Sequence, residues 1–224
     1  MSIPPGVLPA GRYEQSLTIS ATDKAGNTAE ITETFLVDTV IGLGLDRPVS
    51  GDDVLNADEV KGDVILTGVV DEGATVFVTV GGTDYSATVE GEAWSVAIPA
   101  NEFPSGEYEQ EVTVTARDEA GNVGVLNETL LVDTVAGLTL GIPVSEDGFI
   151  NEAELARGVT LSGTVEQGSA VFVEIDGRVF PAMVEGGSWS AIIPSDALAR
   201  GVYDQAITVT ATDPAGNTAV ASQS

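Results

Sequence analysis

Oxygen-bearing side chains recur along this chain at one fixed interval. Asp23, Asp118 and Asp213 each open a D-x-A-G-N string, and each lies 95 residues from the next. Asn122 and Asn217 close two of those strings. Asp38 and Asp133 sit inside two copies of Val-Asp-Thr, again 95 residues apart. The pairs Asp52 and Asp147, Asn56 and Asn151, and Glu59 and Glu154 keep the same offset. Carboxylate and amide oxygens are the donors that hard cations select, six to eight at a time. Carboxylate pairs also serve general acid–base chemistry. A set that returns in every copy suits a structural role better than a single active site.

Composition removes several function classes. The chain has 224 residues, no His and no Cys. Imidazole and thiol nucleophiles are therefore excluded, and no glycine-rich phosphate loop is present. The 35 acidic residues against 8 basic ones give a net charge of −27. Such a chain repels nucleic acid and anionic membrane and favours cations as partners. No apolar run reaches the roughly 18 residues of a membrane span, so no direct membrane insertion is expected. At 43% hydrophobic residues the acidity does not signal disorder. The opening M-S-I-P-P has neither a charged nor an apolar leader region. An excerpt from a longer, secreted protein is expected, with its targeting signal elsewhere.

The elements that must position the acidic groups follow from the repeat. A 95-residue period without insertions implies one domain-sized unit per period. Trp94 and Trp189, and the Gly-x-Tyr strings ending at Tyr13, Tyr108 and Tyr203, obey it too. Within a period the pattern is β throughout. Val64–Thr67 and Thr75–Val80 are rich in β-branched residues, and Val112, Val114 and Ala116 alternate with polar neighbours. Breakers such as Gly81-Gly82, Pro104-Ser105-Gly106 and Gly121-Asn122 fall at short spacing. Seven strands are predicted at about 40–46, 63–70, 75–81, 83–90, 93–98, 107–117 and 123–132. Helix is expected only as a short turn near 56–60. Seven short strands in one period predict an all-β, immunoglobulin-like seven-strand β-sandwich, with the domains arranged end to end. Tyr108, after Gly106, fits a tyrosine corner, and the D-x-A-G-N string fits a tight hairpin with Gly121 left-handed. Trp94 lies on the fifth strand, where its recurrence as Trp189 assigns it to the core.

Periodicity sets the length of the repeat but not its phase. Placing the boundary at Val-Asp-Thr makes 39–133 a complete repeat. Residues 134–224 are then a nearly complete repeat with a truncated last strand, and 1–38 are the last two strands of a preceding copy. Leu17, Ile19, Phe35 and Val37 would give that leading hairpin an apolar face.

The Val-Asp-Thr strings (37–39, 132–134), the N-x-x-E strings (56–59, 151–154), the T-V-T-A-R-D-E-A-G-N run (113–122) and the E-G-G-S-W-S-A-I-I-P run (185–194) resemble the bacterial Ig-like (BIg) tandem repeats of giant adhesins exported by type I secretion (RTX-type). The resemblance spans essentially the whole chain. It implies a structural extender that holds a distal binding domain away from the cell for surface attachment and biofilm formation. On that footing the adhesive target is bound by another domain, and the partners of this segment are neighbouring repeats of the same chain. It also implies a secreted or cell-surface location, no enzyme activity, and Ca2+ at or near domain junctions. A carbohydrate-binding or accessory Ig-like module of a secreted hydrolase is the competing function. That module needs an exposed aromatic platform, and only 5% of residues are aromatic.

The topology of a seven-strand sandwich locates the calcium candidates. The incoming linker and the second-to-third and sixth-to-seventh loops share one end. Asp133, Glu166, Asp213 and Asn217 then gather at the top of the third copy, and Asp38, Asp71, Glu72, Asp118 and Asn122 at the top of the second. The opposite end carries Asp52, Asn56 and Glu59 in one copy and Asp147, Asn151 and Glu154 in the next. Each group has another explanation. Asp118 and Asp213 serve equally as turn residues, and Asn56 with Glu59 reads equally as a capping box.

Overall fold

The segments in which β-branched residues alternate with polar ones become strands in the computed structural model, which describes residues 3–4, 6–141, 145 and 148–223. Two compact units emerge. The first holds Met1–Val49, Val64–Glu102 and Glu111–Thr129; the second holds Ser50–Asp63, Phe103–Gln110 and Leu130–Ser224.

The first unit opens on β1 (Arg12–Thr22) and β2 (Thr28–Asp38), an antiparallel hairpin paired along its whole length from Arg12↔Asp38 to Thr22↔Thr28. Of its residues only Val37 is buried, while Ile19, Ile31 and Leu36 are exposed. A four-stranded sheet follows, in the order β3 (Leu43–Leu45), β5 (Val64–Val70), β9 (Ala93–Ile98), β8 (Thr88–Glu90). Facing strands are β6 (Thr75–Val80), β7 (Thr83–Ser86) and the part of β10 (Glu107–Arg117) that pairs Val112–Arg117 with Val80–Thr75. Alternation puts Leu66, Val78, Trp94, Ile98 and Val114 inside. The predicted strand at 83–90 is two strands. It breaks at Ala87, whose N–H donates to the Val76 carbonyl at 3.0 Å, so β7 joins β6 while β8 joins β9. One segment serving both sheets is how the side of a sandwich closes.

Trp94 is buried, as its recurrence predicts, and its Nε1 donates to the Gly44 carbonyl at 3.0 Å. Gly68 makes room for it: a Cβ there would lie 2.0 Å from the Gly44 oxygen and 2.7 Å from the indole.

In the second unit, β4 (Val54–Leu55) runs parallel to the end of β11 (Val123–Asp133), with Leu131↔Val54 and Val132↔Leu55. Then come α1 (Glu152–Arg157), β12 (Val159–Thr164), β13 (Ala170–Ile175), β14 (Arg178–Pro181), β15 (Met183–Glu185), β16 (Ser188–Ile193), β17 (Ile207–Thr212) and β18 (Thr218–Gln223). The sheets β12-β16-β15 and β14-β13-β17-β18 enclose a core around Trp189, Leu161, Val173 and Val209. Trp189 repeats the anchoring bond, to the Thr139 carbonyl at 2.9 Å. The expected short turn near 56–60 is a 3-10 turn at Glu59–Lys61 in one copy and the six-residue α1 in the other. Leu155 and Arg157 are good helix formers, whereas their equivalents Val60 and Gly62 are not.

The tyrosine corner is present at two of three positions. Tyr13 donates to the Pro9 carbonyl at 3.0 Å and Tyr203 to the Ala199 carbonyl at 2.7 Å. The Tyr108 hydroxyl is buried and makes no such bond.

Candidate metal centre

The D-x-A-G-N turn organises the site. In all three copies the Asp carbonyl accepts from the N–H of the Gly that precedes the closing Asn (3.1 to 3.2 Å), and the glycine has φ of 90° to 93°. Only glycine enters that region without strain. The Asp side chain accepts from the Asn main-chain N–H and the Asn side-chain N–H, which points the Asn head across the turn.

In the second unit this head reaches the Val-Asp-Thr string. Asn217 Nδ2 donates to the Asp133 carbonyl at 2.8 Å and to Asp213 Oδ2 at 2.8 Å, with Asp133 Oδ1 at 3.3 Å. Asp133, Asp213 and Asn217 are each only 5–6% exposed. Glu166, from the turn between β12 and β13, completes a triad: one carboxylate oxygen from each of Asp133, Glu166 and Asp213 lies within 4.8 Å of the others. Among the described residues no other group of three acids gathers so closely. Burial, then repulsion from Asp213 and Glu107, raise the Asp133 carboxyl above the usual range, against one hydrogen bond from the Val135 N–H. Burial first, then Asp133, Asp213 and Glu107, raise Glu166 in the same way.

The donor set fits a hard cation. Calcium sits about 2.3–2.6 Å from its oxygens, so two ligands on opposite sides stand about 5 Å apart. Three carboxylates inside that span, with no Lys or Arg among their described partners, hold a concentration of negative charge that an ion would neutralise.

The first unit gathers the equivalent residues differently. Asn122 Nδ2 bonds Asp118 Oδ2 at 2.7 Å and the Asp38 carbonyl at 3.3 Å. Asp71 accepts from the Gly42 N–H at 2.9 Å and is not part of a comparable acidic triad among the described residues. Arg12 Nε stands 3.5 Å from Asp38 Oδ2. The position 95 residues after Arg12 is Glu107. One copy therefore places a guanidinium where the other places a carboxylate. This asymmetry is visible in the sequence, and recurrence alone conceals it. Burial works against ionisation of Asp118, but the sum of its bonds from Asn122, Gly121 and Ala120 outweighs it and holds the carboxyl below the usual range.

The side-chain oxygens of the remaining described candidates accept local bonds. Asp52 accepts from the Val54 N–H at 3.0 Å. Asn56 caps its turn by accepting from the Asp58 and Glu59 N–H groups, and Glu59 accepts back from the Asn56 N–H. Asn151 and Glu154 form the same capping box on α1. Asp147 lies outside the described residues.

Two facing sheets closed by a strand that changes sheets, with a Trp anchored between them, define an immunoglobulin-like β-sandwich protein. The family described as bacterial Ig-like domain matches residues 1–39 and 141–224, more than half of the chain, and the chain belongs to that family. Among solved structures it is similar to a 1.5-MDa bacterial ice-binding adhesin studied for its retention at the host cell surface, with 28% identity, a TM-score of 0.50, and coverage of 92% of this chain and 71% of that one. It is also similar to a Ca2+-stabilized adhesin that helps an Antarctic bacterium reach out and bind ice, with 27% identity, a TM-score of 0.48, and coverage of 93% and 55%. The chain thus spans a little over half the length of that structure. No curated protein matches.

Proposed function

We propose that this chain is an extender segment of a large bacterial surface adhesin, made of repeats bounded at residues 39–133 and 134–224 and stiffened by calcium. The observation that carries the reading is the Asp133, Glu166 and Asp213 triad. Asp133 lies on the connection from one repeat to the next, and the other two lie on loops of the following repeat. An ion held by all three ties the connection to the domain and cancels repulsion that otherwise favours opening. Asp133, Glu166 and Asp213 supply the carboxylates, Glu107 adds charge beside them, and Asn217 fixes the positions of two. The role is mechanical rather than catalytic, at the cell surface, with any adhesive target and any contribution to biofilm belonging to the parent protein.

Calorimetric titration with Ca2+ tests this. Extracellular calcium modules bind at about 10⁻⁴ to 10⁻³ M, and uptake in that range is the expected result. Chelation should lower the melting temperature, because a ligand that binds only the folded state stabilises it by mass action. It should also broaden the distance distribution in small-angle scattering. No uptake at millimolar Ca2+, with scattering unchanged by chelator, overturns the reading.

A further inference from the structure

The D-x-A-G-N turn does more in one copy than in the other two. At Asp213–Asn217 its alternate residues Asp213, Ala215 and Asn217 are all buried. At Asp118–Asn122 Ala120 is exposed and Asn122 half-buried, and at Asp23–Asn27 every residue is exposed. The string and the internal bonds are the same, so the difference lies in what covers the turn.

What covers it is the N-x-x-E loop of the repeat before. Asn56 Nδ2 donates to the Ala215 carbonyl at 3.0 Å, and the Ala57 N–H donates to Asn217 Oδ1 at 2.7 Å. The capping box leaves these two donors over. Asn56 Oδ1 satisfies the N–H groups of Asp58 and Glu59, and Glu59 satisfies the N–H of Asn56. The Ala57 N–H and the Asn56 amide remain unsatisfied within the loop, as the first N–H groups of a helical turn are. The turn presents two acceptors to them: the carbonyl of its third residue, and the Asn Oδ1 that is left once Nδ2 has been committed to the Asp carboxylate and the Val-Asp-Thr carbonyl.

We propose that the D-x-A-G-N turn is a docking surface for the N-x-x-E loop of a preceding repeat, that the contact forms without metal, and that Asp118–Asn122 is such a surface awaiting its loop. Asn122 Oδ1 and the Ala120 carbonyl have no donor among the described residues. They stand 95 positions before the two acceptors that are engaged. The partner is thereby specified as the N-x-x-E loop of another bacterial Ig-like repeat. The inference rests on the tandem-repeat reading but not on the calcium in it.

The chain has no Cys, so an introduced thiol reports access to a single position. Ala25→Cys, Ala120→Cys and Ala215→Cys are each made in the full chain, and reaction with a thiol reagent is timed in Ca2+ and in chelator. Ala215→Cys should react at least tenfold more slowly than the other two in both conditions. Adding Asn56→Asp, which keeps the capping oxygen but removes the donor, should abolish that difference. Met1 lies 95 positions before Val96, so residues 39–95 placed ahead of it continue the repeat and supply an N-x-x-E loop. In that longer chain Ala120→Cys should slow at least tenfold. Amide exchange at Ala57 in the unsubstituted chain gives the same answer should Ala215→Cys disturb the turn: protection is expected. Equal thiol rates at 215 and 120 together with an unprotected Ala57 overturn the proposal. So does an Ala120→Cys rate that the added repeat leaves unchanged, or protection seen only with Ca2+. Slow reaction in a chain that takes up no Ca2+ upholds the docking while the calcium stiffener fails.

Discussion

Asn217 Nδ2 donates to the main-chain carbonyl of Asp133 at 2.8 Å, joining residues 84 apart in sequence. The same amide group bonds Asp213 Oδ2, and its oxygen accepts from the Ala57 N–H. One side chain thus ties the connection between repeats to the hairpin turn and to the preceding loop. It is buried, so its loss leaves acceptors without a donor.

Asn217→Ala should therefore destabilise the chain by about 2–4 kcal/mol, since each buried group left unsatisfied costs about 1–3 kcal/mol. Asn27→Ala removes an exposed bond within its own turn and should change stability by less than about 0.5 kcal/mol. Urea denaturation of the two variants makes the comparison.

The indole pocket sets a second expectation. Trp94→Ala should cost about 3–5 kcal/mol through the cavity it leaves. Gly68→Ala should be comparably harmful, because its Cβ would meet main-chain oxygen at 2.0 Å rather than a side chain that can move. Gly91→Ala, where a Cβ meets nothing within 4 Å but φ is 64°, should cost about 1 kcal/mol. A thermal denaturation series ranks the three.

Much of this was legible in the residues. The two-residue alternation of Val64–Val70 and Thr75–Val80 announces strands because a half-buried sheet face demands it. The buried Trp and the left-handed Gly121 follow from recurrence and from backbone sterics. The break at Ala87 was not legible, because strand propensity says nothing about which of two sheets a strand pairs with. The site was half legible. Loop topology brings Asp133, Glu166, Asp213 and Asn217 together, but turn and cap roles absorb Asp52, Asn56, Glu59, Asn151 and Glu154. Part of the difference between the two clusters is that Arg12 in one copy and Glu107 in the other occupy the same strand position, which is a matter of sign rather than spacing.

That sign yields a third prediction. Glu107→Arg gives the Asp133 triad the counter-cation that Arg12 gives Asp38. The metal-free protein should melt higher than the unsubstituted chain, and the rise in melting temperature on adding Ca2+ should shrink. Arg12→Glu should do the reverse at Asp38, lowering metal-free stability. Melting curves with and without chelator test both, and a Glu107→Arg chain that gains as much from Ca2+ as the unsubstituted one contradicts the electrostatic account.

The dependence on pH follows from the same charges. Asp133 and Glu166 have folded-state carboxyls raised above the ordinary values of 3.8 and 4.5. Over the window between those values and the raised ones the folded state binds more protons than the unfolded chain. Stability then falls as pH rises through that window, so the metal-free protein should gain stability as pH is lowered into it. Asp23 and Asp118 pull the other way, with carboxyls held below 3.8 by Asn27 in one turn and by Asn122 and neighbouring N–H groups in the other. Their contribution is present above the ordinary value and is lost as pH falls through the lowered one. A maximum in metal-free stability is expected on the acid side of neutral, above the range where the turn aspartates protonate. Saturating Ca2+ should move that maximum toward neutral pH, because an ion binds the ionised carboxylates and competes with their protons. Glu166→Gln removes one raised group while keeping its size, and should flatten the acid-side gain in chelator and abolish the Ca2+ shift. Melting temperatures from pH 4 to 8, with chelator and with calcium, decide it: a metal-free profile that rises steadily to pH 8 means that the triad is not under electrostatic strain.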